Sequence, residues 1–302
     1  MAFDEIIDLD LEVIAKALEA SPDYRVLRKL APRLPVLGIP DEETKLGLYV
    51  DTEATGLDTS RDEIIELAMV PFRFTPDGTV VRVLPAFNKL REPSIPIPAE
   101  VTEITGITNE MVAGCEIDPD EVIAFTRDAD LIVAHNAAYD RKMLERFAPD
   151  AFEHKCWACS MSQVPWQEQG FEGTKLGYLS TQFGFFYDKH RAVSDCLAAI
   201  ELLASNMPKS GRTALDHMLE AARKPSFRIW ATYAPYELKD ALKARKYRWN
   251  DGSNGFPKAW HIDVDEALRE AEIEFLRAEI YQHEAEIFAT RITAYERFSS
   301  RV

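Results

Sequence analysis

The sequence predicts an α/β domain on a mixed sheet, an antiparallel meander joined to parallel strands, with helices on its faces. A small basic, aromatic α+β module and a C-terminal helix are expected to follow. Three observations predict this. Three apolar strand-like runs are separated by short turns between residues 47 and 88. Strand and helix signals then alternate up to residue 207. Beyond residue 222 the charge balance inverts and aromatic residues crowd together.

Residues 1–42 read as a helical arm, with Leu11, Ile14, Ala15 and Leu18 at helical spacing. Asp23 to Leu30 is expected to form a second short helix, ended by the three prolines of APRLPVLGIP. Residues 43–207 form the main domain. Strands are expected at 47–54, 63–74 and 79–88, the last two joined by a Pro-Asp-Gly turn at 76–78. Helices follow near 99–104 and 119–127. The apolar run LIVAH, residues 131–135, has the make-up of a buried strand. Residues 137–147 read as helix, 155–160 as strand and 192–206 as a strong helix.

Residues 223–262 carry nine basic and three acidic side chains and three of the five tryptophans. Such a mixture suits contact with nucleic acid, because cations engage phosphates and aromatic faces stack on bases. The candidates are Lys239, Lys243, Arg245, Lys246, Arg248 and Trp249. A plain folded module with solvated charges explains the composition equally well. Residues 263–302 hold ten acidic and five basic residues. The stripe Ala278, Tyr281, Ala285, Phe288, Ile292 and Tyr295 predicts one long helix or a helical hairpin.

Composition excludes several classes. The chain of 302 residues is 46% hydrophobic, enough for a sizeable core. Its formal charge of −16 argues against coating nucleic acid by bulk attraction. No secretory signal or membrane span is apparent, so a reducing cytoplasm is expected. Cys115, Cys156, Cys159 and Cys196 suggest no disulfide scaffold. The C-x-x-C at 156–159 lacks a second ligand pair for zinc and reads as core.

The chemistry resides in three short motifs. Asp51 and Glu53, two apart at the end of an apolar strand, face one side. Bare carboxylates there are costly to bury unless cations meet them. Gly56 is expected to let a nucleotide approach the backbone. His135-Asn136-Ala137-Ala138-Tyr139-Asp140 opens a helix after a buried strand, and His190-Arg191-Ala192-Val193-Ser194-Asp195 opens another. His190 belongs in the loop before that second helix, since five helical residues would turn it about 140° away from Asp195. Each motif alone is common at strand ends and helix starts.

Their order and separation resemble the DEDDh, DnaQ-like exonucleases of the ribonuclease H-like fold. DTEATGL, HNAAYD and HRAVSD match the three exonuclease motifs, and DEIIELA and ITGITNEM match the connecting segments, over about residues 45–205. The resemblance implies a 3′→5′ exonuclease using two divalent ions, Mg²⁺ or Mn²⁺. It implies metal ligation by Asp51, Glu53, Asp140 and Asp195, with His190 as general base. It further implies substrate contacts from Thr55, Gly56 and Leu57, with His135 and Tyr139 as weaker wall candidates. Residues 223–262 also resemble an extension found after some bacterial exonuclease domains.

The expected substrate is the 3′ end of nucleic acid, single-stranded DNA before RNA, in a proofreading or repair setting that admits a polymerase partner. Competing readings are an exoribonuclease trimming short RNA and a non-catalytic nucleic-acid scaffold. Removal of 223–302 is expected to spare cleavage of short strands and impair that of long ones.

Overall fold

The computed structural model describes residues 10–302, so the first nine residues of the N-terminal arm lie outside the described residues. Asp10 caps helix α1 (Leu11–Glu19) by accepting the Glu12 N–H at 3.0 Å. The second helix expected over 23–30 does not form. Arg28–Lys29 is instead a short strand, β1, parallel to β8 (Phe185–Phe186). Arg28 donates to the Gly184 carbonyl at 3.0 Å and Leu30 to that of Phe186 at 2.8 Å. An isolated two-turn helix is marginal, and an open strand edge offers the backbone better partners here.

The main sheet contains β2 (Lys45–Ala54), β3 (Ile64–Phe74), β4 (Val80–Val83), β5 (Phe87–Leu90), β6 (Leu131–Ala134) and β7 (Trp157–Cys159). Its order is β4-β3-β2-β6-β7, with β5 also paired to β3. The β2, β3, β4 and β5 pairings are antiparallel, while β6 and β7 run parallel to β2. The strand expected over 79–88 is therefore two strands, split near Pro85, which has no N–H to give a ladder.

Period-two alternation gives the sheet two apolar faces. Tyr49, Ala68, Val70 and Phe72 pack with helix α8 (Ala192–Ala204). Leu48, Val50, Leu67 and Met69 pack with helix α5 (Ala137–Phe147). Along β2 the same parity assigns Asp51 and Glu53 to the α8 side and Thr52 to the α5 side.

Helix α9 (Ala214–Arg223) packs into the α8-side core and leads to the second sheet. That sheet joins β9 (Ser226–Ala231), β10 (Arg248–Asn250), β11 (Ala259–Asp265) and β12 (Phe288–Ile292) in the antiparallel order β10-β11-β9-β12. Helix α10 (Lys239–Ala244) and helix α11 (Arg269–Phe275) belong to the same module.

The expected tail helix over 263–302 is corrected on two counts. It is helical only through 266–281, a 3-10 turn leading into the α-helix and a wider π turn ending at Gln282 with φ 58. Residues 288–292 then become an edge strand on β9, because a sheet edge satisfies backbone groups that a solvent-exposed helix end leaves open. Nor is residue 263 a boundary. Ile273, Leu276 and Ile280 share one core with Phe227, Ile229, Leu242 and Tyr247.

A buried guanidinium is at the centre of the contacts that fasten the module to the main domain. Arg141 on α5 is fully buried. It donates to Glu145 at 2.6 Å and to the carbonyls of Arg297 at 2.8 Å and Tyr295 at 2.6 Å. Glu145 in turn accepts from Ser299 at 2.6 Å and Arg301 at 3.0 Å, and the Trp157 N–H reaches the Ala294 carbonyl at 2.8 Å. Removal of 223–302 would strand this charge in the core, so that truncation is not a clean test of substrate length.

Arg141→Met removes a donor from Glu145 and from four carbonyls, those of Glu153, Ala294, Tyr295 and Arg297. It is expected to lower the unfolding free energy by about 3 kcal/mol, read by chemical denaturation. A loss under about 1 kcal/mol would mean the segment is held by other contacts.

Candidate active site

A cavity of about 520 Å³ opens at the C-terminal end of β2. Asp51, Glu53, Asp140, His190 and Asp195 all line it. Carboxylate oxygens of Asp51, Glu53 and Asp195 lie within 4.8 Å of one another. Asp140 stands apart from this triplet, on the α5 side of the strand, where it accepts the Thr52 hydroxyl at 2.9 Å. Three acids thus approach from one face of β2 and one from the other.

Each carboxylate is held by backbone placement and fixed donors. Asp195, in the first turn of α8, accepts the Tyr187 hydroxyl at 2.8 Å and the Arg191 N–H at 3.2 Å. His190 sits just before α8 at φ 60, a left-handed conformation that histidine adopts more readily than most residues. The β2–β3 register shifts between Glu53 and Ala54, and this bulge ends the regular pairing beside the site.

The charges load one another. Burial pushes the Asp51 carboxyl well above its ordinary range, and the neighbouring Asp140, Asp195 and Glu53 add to it. Glu53 is raised to about 8 by burial and by the nearby acids. Asp140 is raised to about 7 by burial, partly opposed by the Thr52 hydroxyl. Asp195 is also raised, again by burial. Oxygen donors with accumulated negative charge suit hard divalent cations such as Mg²⁺ or Mn²⁺.

The remaining sequence candidates divide. Leu57 lines the cavity and is 89% exposed, an apolar edge free to press on a ligand. Gly56 also lines it, but its lack of a side chain has another cause. A Cβ there would lie 2.4 Å from the Asp62 carboxylate, which is held by the Thr55 hydroxyl at 3.2 Å and the Asp58 N–H at 2.7 Å. Thr55 is buried and does not line the cavity. Its hydroxyl also accepts the Glu63 N–H at 3.0 Å, so it shapes the turn. Tyr139 lines the cavity and donates to the Gly56 carbonyl at 2.7 Å. His135 lines it too, with Nε2 donating to the Thr174 carbonyl at 2.6 Å and Nδ1 facing the Ser160 hydroxyl at 2.9 Å. Burial lowers its pKa and keeps it neutral.

Of the module candidates, Arg245 pairs with the buried Glu272 at 2.8 Å and stacks on Phe275. Lys239 lies over the Tyr236 ring and Lys243 near Trp260. Lys246 is exposed, at φ 70. None of these four lines the carboxylate cavity. Arg248 and Trp249 border a second cavity instead. Cys159 is buried beside the His135 carbonyl, and all four cysteines are free.

Sequence reasoning missed Glu66 and Tyr187. Glu66 is fully buried and pairs across the sheet with Glu53. It accepts the Ala192 N–H at 3.2 Å, the Asn88 amide at 3.1 Å and Arg191 at 3.4 Å. Arg191 gives α8 no side-chain cap, so Glu66 caps that helix from the sheet. The period-two pattern of DEIIELA was the available signal, because an acid at a core-facing strand position needs a partner. Val101 and Ile104 on helix α2 (Ala99–Thr105) supply an apolar wall that only the fold reveals.

The fold and this acid-lined cavity are of the nuclease class. The RNase_T profile, described as exonuclease, matches residues 48–203, and the chain belongs to that family. It is 29% identical over 197 residues to exodeoxyribonuclease 10 of Escherichia coli (strain K12), covering 63% of this chain and 81% of that protein. Against DNA polymerase III PolC-type of Latilactobacillus sakei subsp. sakei (strain 23K), identity is 39% over 115 residues, 36% of this chain and 7% of the polymerase. The structure titled exonuclease X in complex with 5′ overhanging duplex DNA aligns with a TM-score of 0.43 and 26% identity, covering 58% of this chain and 98% of that one. The family match ends at residue 203, before the second sheet.

Two outcomes follow from the charge cluster. Burial and the nearby acids raise Glu53 from its ordinary value of 4.5 to about 8. Glu53 therefore favours the fold at low pH, and that contribution is lost as pH rises through this window. Divalent ions bind the ionised form, so Mn²⁺ is expected to raise the melting temperature more at about pH 8 than at about pH 6. An equal rise at both would dismiss the cluster as a cation site. Glu66→Gln keeps the shape but turns an amide donor toward the α8 terminus. The Mn²⁺ concentration giving half the thermal shift is expected to rise about tenfold, and an unchanged midpoint would remove Glu66 from the site's support.

Proposed function

We propose that this chain is a metal-dependent 3′→5′ exonuclease acting on DNA ends, with single strands preferred and nucleoside 5′-monophosphates released. The observation that carries the reading is the convergence of the Asp51, Glu53 and Asp195 oxygens within 4.8 Å, in a cavity that Asp140 and His190 also line. DNA is favoured over RNA by the name of the exodeoxyribonuclease it resembles. A replication or repair setting, with a polymerase as partner, is supported by the PolC match.

In this reading Asp51, Glu53 and Asp195 would hold a divalent ion, and Asp140 would help to hold a second. Bound there, such ions polarise the phosphate, activate water and stabilise the leaving oxygen. His190 takes the proton from the attacking water. A bond forms between that oxygen and the 5′ phosphorus of the terminal nucleotide, and the bond to the preceding 3′ oxygen breaks. Leu57, Val101 and Ile104 are the apolar groups available to hold the terminal base. Tyr187 and the Arg191 N–H keep Asp195 oriented, while Glu66 keeps α8 and the His190 loop in register with β2.

The test is turnover of 5′-labelled oligonucleotides, DNA and RNA, with Mg²⁺ or Mn²⁺ and with chelator. Shortening from the 3′ end is expected only with metal, and Asp51→Asn should abolish it. His190→Ala is expected to lower kcat by about a hundredfold or more. Metal-independent cleavage, or full activity of Asp51→Asn, would refute the assignment.

A further inference from the structure

A second cavity, of about 760 Å³, lies between α5 and the second sheet. Asn136, at the start of α5, borders both this cavity and the one holding the carboxylates. The first turns of α5 divide the two. Tyr139 and Asp140 face the carboxylate cavity, while Ala138 and Lys142 line the groove. The opposite wall carries Arg228, Arg248 and His261, which fall on one face of the sheet, since Arg248 pairs with His261 and Arg228 with Asp263.

The groove has a surplus of positive charge in a chain of net charge −16. Arg228 grips Asp263 with two hydrogen bonds, at 2.7 and 2.8 Å. Arg248 reaches the same carboxylate at 3.2 Å, leaving two guanidiniums for one acid, and its side chain is 65% exposed. Lys142 makes no ion pair among the described residues. Arg297 is spent on the carbonyls of Ala222 and Lys224, with Asp265 nearby. Among side chains lining the groove, four cations face two carboxylates. His261 has a pKa lowered to about 4 by burial and by Arg228 and Arg248, and its buried Nδ1 has no hydrogen-bond partner. Half-exposed Trp249 lies at the rim with its ring edge-on to Trp260.

We propose that this groove binds the nucleic-acid strand on the 5′ side of the scissile phosphate, with Lys142 and Arg248 engaging its backbone from opposite walls. The inference rests on the exonuclease reading for its direction. A strand whose 3′ terminus sits among the carboxylates must leave that cavity, and Asn136 joins it to a surface that carries unneutralised cations. Arg141 ties residues 295 and 297, beside the groove, to α5, so the two walls are assembled before a strand binds. Binding there costs little reorganisation.

The experiment compares wild type, Lys142→Glu, Arg248→Glu, the double variant and a Lys16→Glu control, with melting curves to verify folding. The first readout is the Kd for a labelled single strand of about 20 nucleotides, measured by anisotropy in chelator across a salt series. The second is kcat/KM on that strand divided by kcat/KM on thymidine 5′-monophosphate p-nitrophenyl ester. In the double variant the Kd should rise at least about tenfold, the salt slope should fall by about 1.4, and the kinetic ratio should drop about tenfold. Lys16→Glu should leave all three at wild-type values. A double variant with wild-type Kd, slope and ratio overturns the groove while an active wild type keeps the exonuclease reading. Equal losses in Lys16→Glu also overturn it, since bulk charge would then explain them. A wild type that binds, loses binding in the double variant and cleaves neither substrate keeps the groove and refutes the exonuclease reading.

Discussion

Acid crowding at one strand end is the constraint around which the main domain is arranged. Asp51 and Glu53 leave β2 on one face, Asp195 meets them from α8, and Asp140 arrives from the other face. Burial raises the pKa of all four carboxyls, and the neighbouring acids add to the shift at Asp51 and Glu53. The surrounding structure meets them with neutral donors rather than cations. Thr52 serves Asp140, while Tyr187 and the Arg191 N–H serve Asp195. A lysine or arginine in the centre would have neutralised the cluster and occupied the position of an ion. Arg191, whose charge acts on Glu53, points to Glu66 instead. Glu66 accordingly does two things: it caps α8 and keeps a guanidinium beside the site rather than inside it.

A second buried charge settles how the C-terminal sheet is attached. Arg141 ties α5 to residues 294–297 through carbonyl oxygens. Carbonyls are present at every residue, so no side-chain pattern announces such a bond. That is why charge asymmetry at residue 222 read as separable units while the fold is continuous. The asymmetry remains physically meaningful: the cations of 223–262 include those on the groove wall, and the acids of 263–302 include Glu272 and Asp263, which pair with Arg245 and Arg228.

Local patterns carried much of the architecture. The strands near 47–54, 63–74 and 131–135 were legible because each is an apolar run with turn residues at its ends, and the helix over 192–206 because its apolar face repeats regularly. The motif spacing named five residues that line one cavity. What stayed hidden depends on tertiary partners. Nothing in Asp23–Leu30 marks it for the edge of Phe185–Phe186, and nothing in 288–292 marks it for β9. The family resemblance implied ligand contacts at Thr55 and Gly56; Asp62 engages the Thr55 hydroxyl and fills the space a side chain at Gly56 would take, while Gly56 still lines the cavity. Arg245 looked like a free cation until Glu272 and Phe275 appeared beside it.

A chain of net charge −16 meets a polyanion under unusual conditions. At physiological ionic strength its distant acids are screened beyond about 8 Å, so long-range repulsion is weak and local charge decides binding. Two localities then matter, and they act by different means. In the proposed reading the carboxylate cavity, crowded with acids, would attract phosphate only with cations bound. The groove carries its positive surplus in side chains and needs no ion. On the proposed reading, such a division would make capture of the strand body independent of metal and confine metal dependence to the terminal phosphate. It also explains why the acidic balance of the whole chain is compatible with a nucleic-acid substrate: the overall sign of the charge governs encounter at a distance, whereas Lys142 and Arg248 act within the screening length.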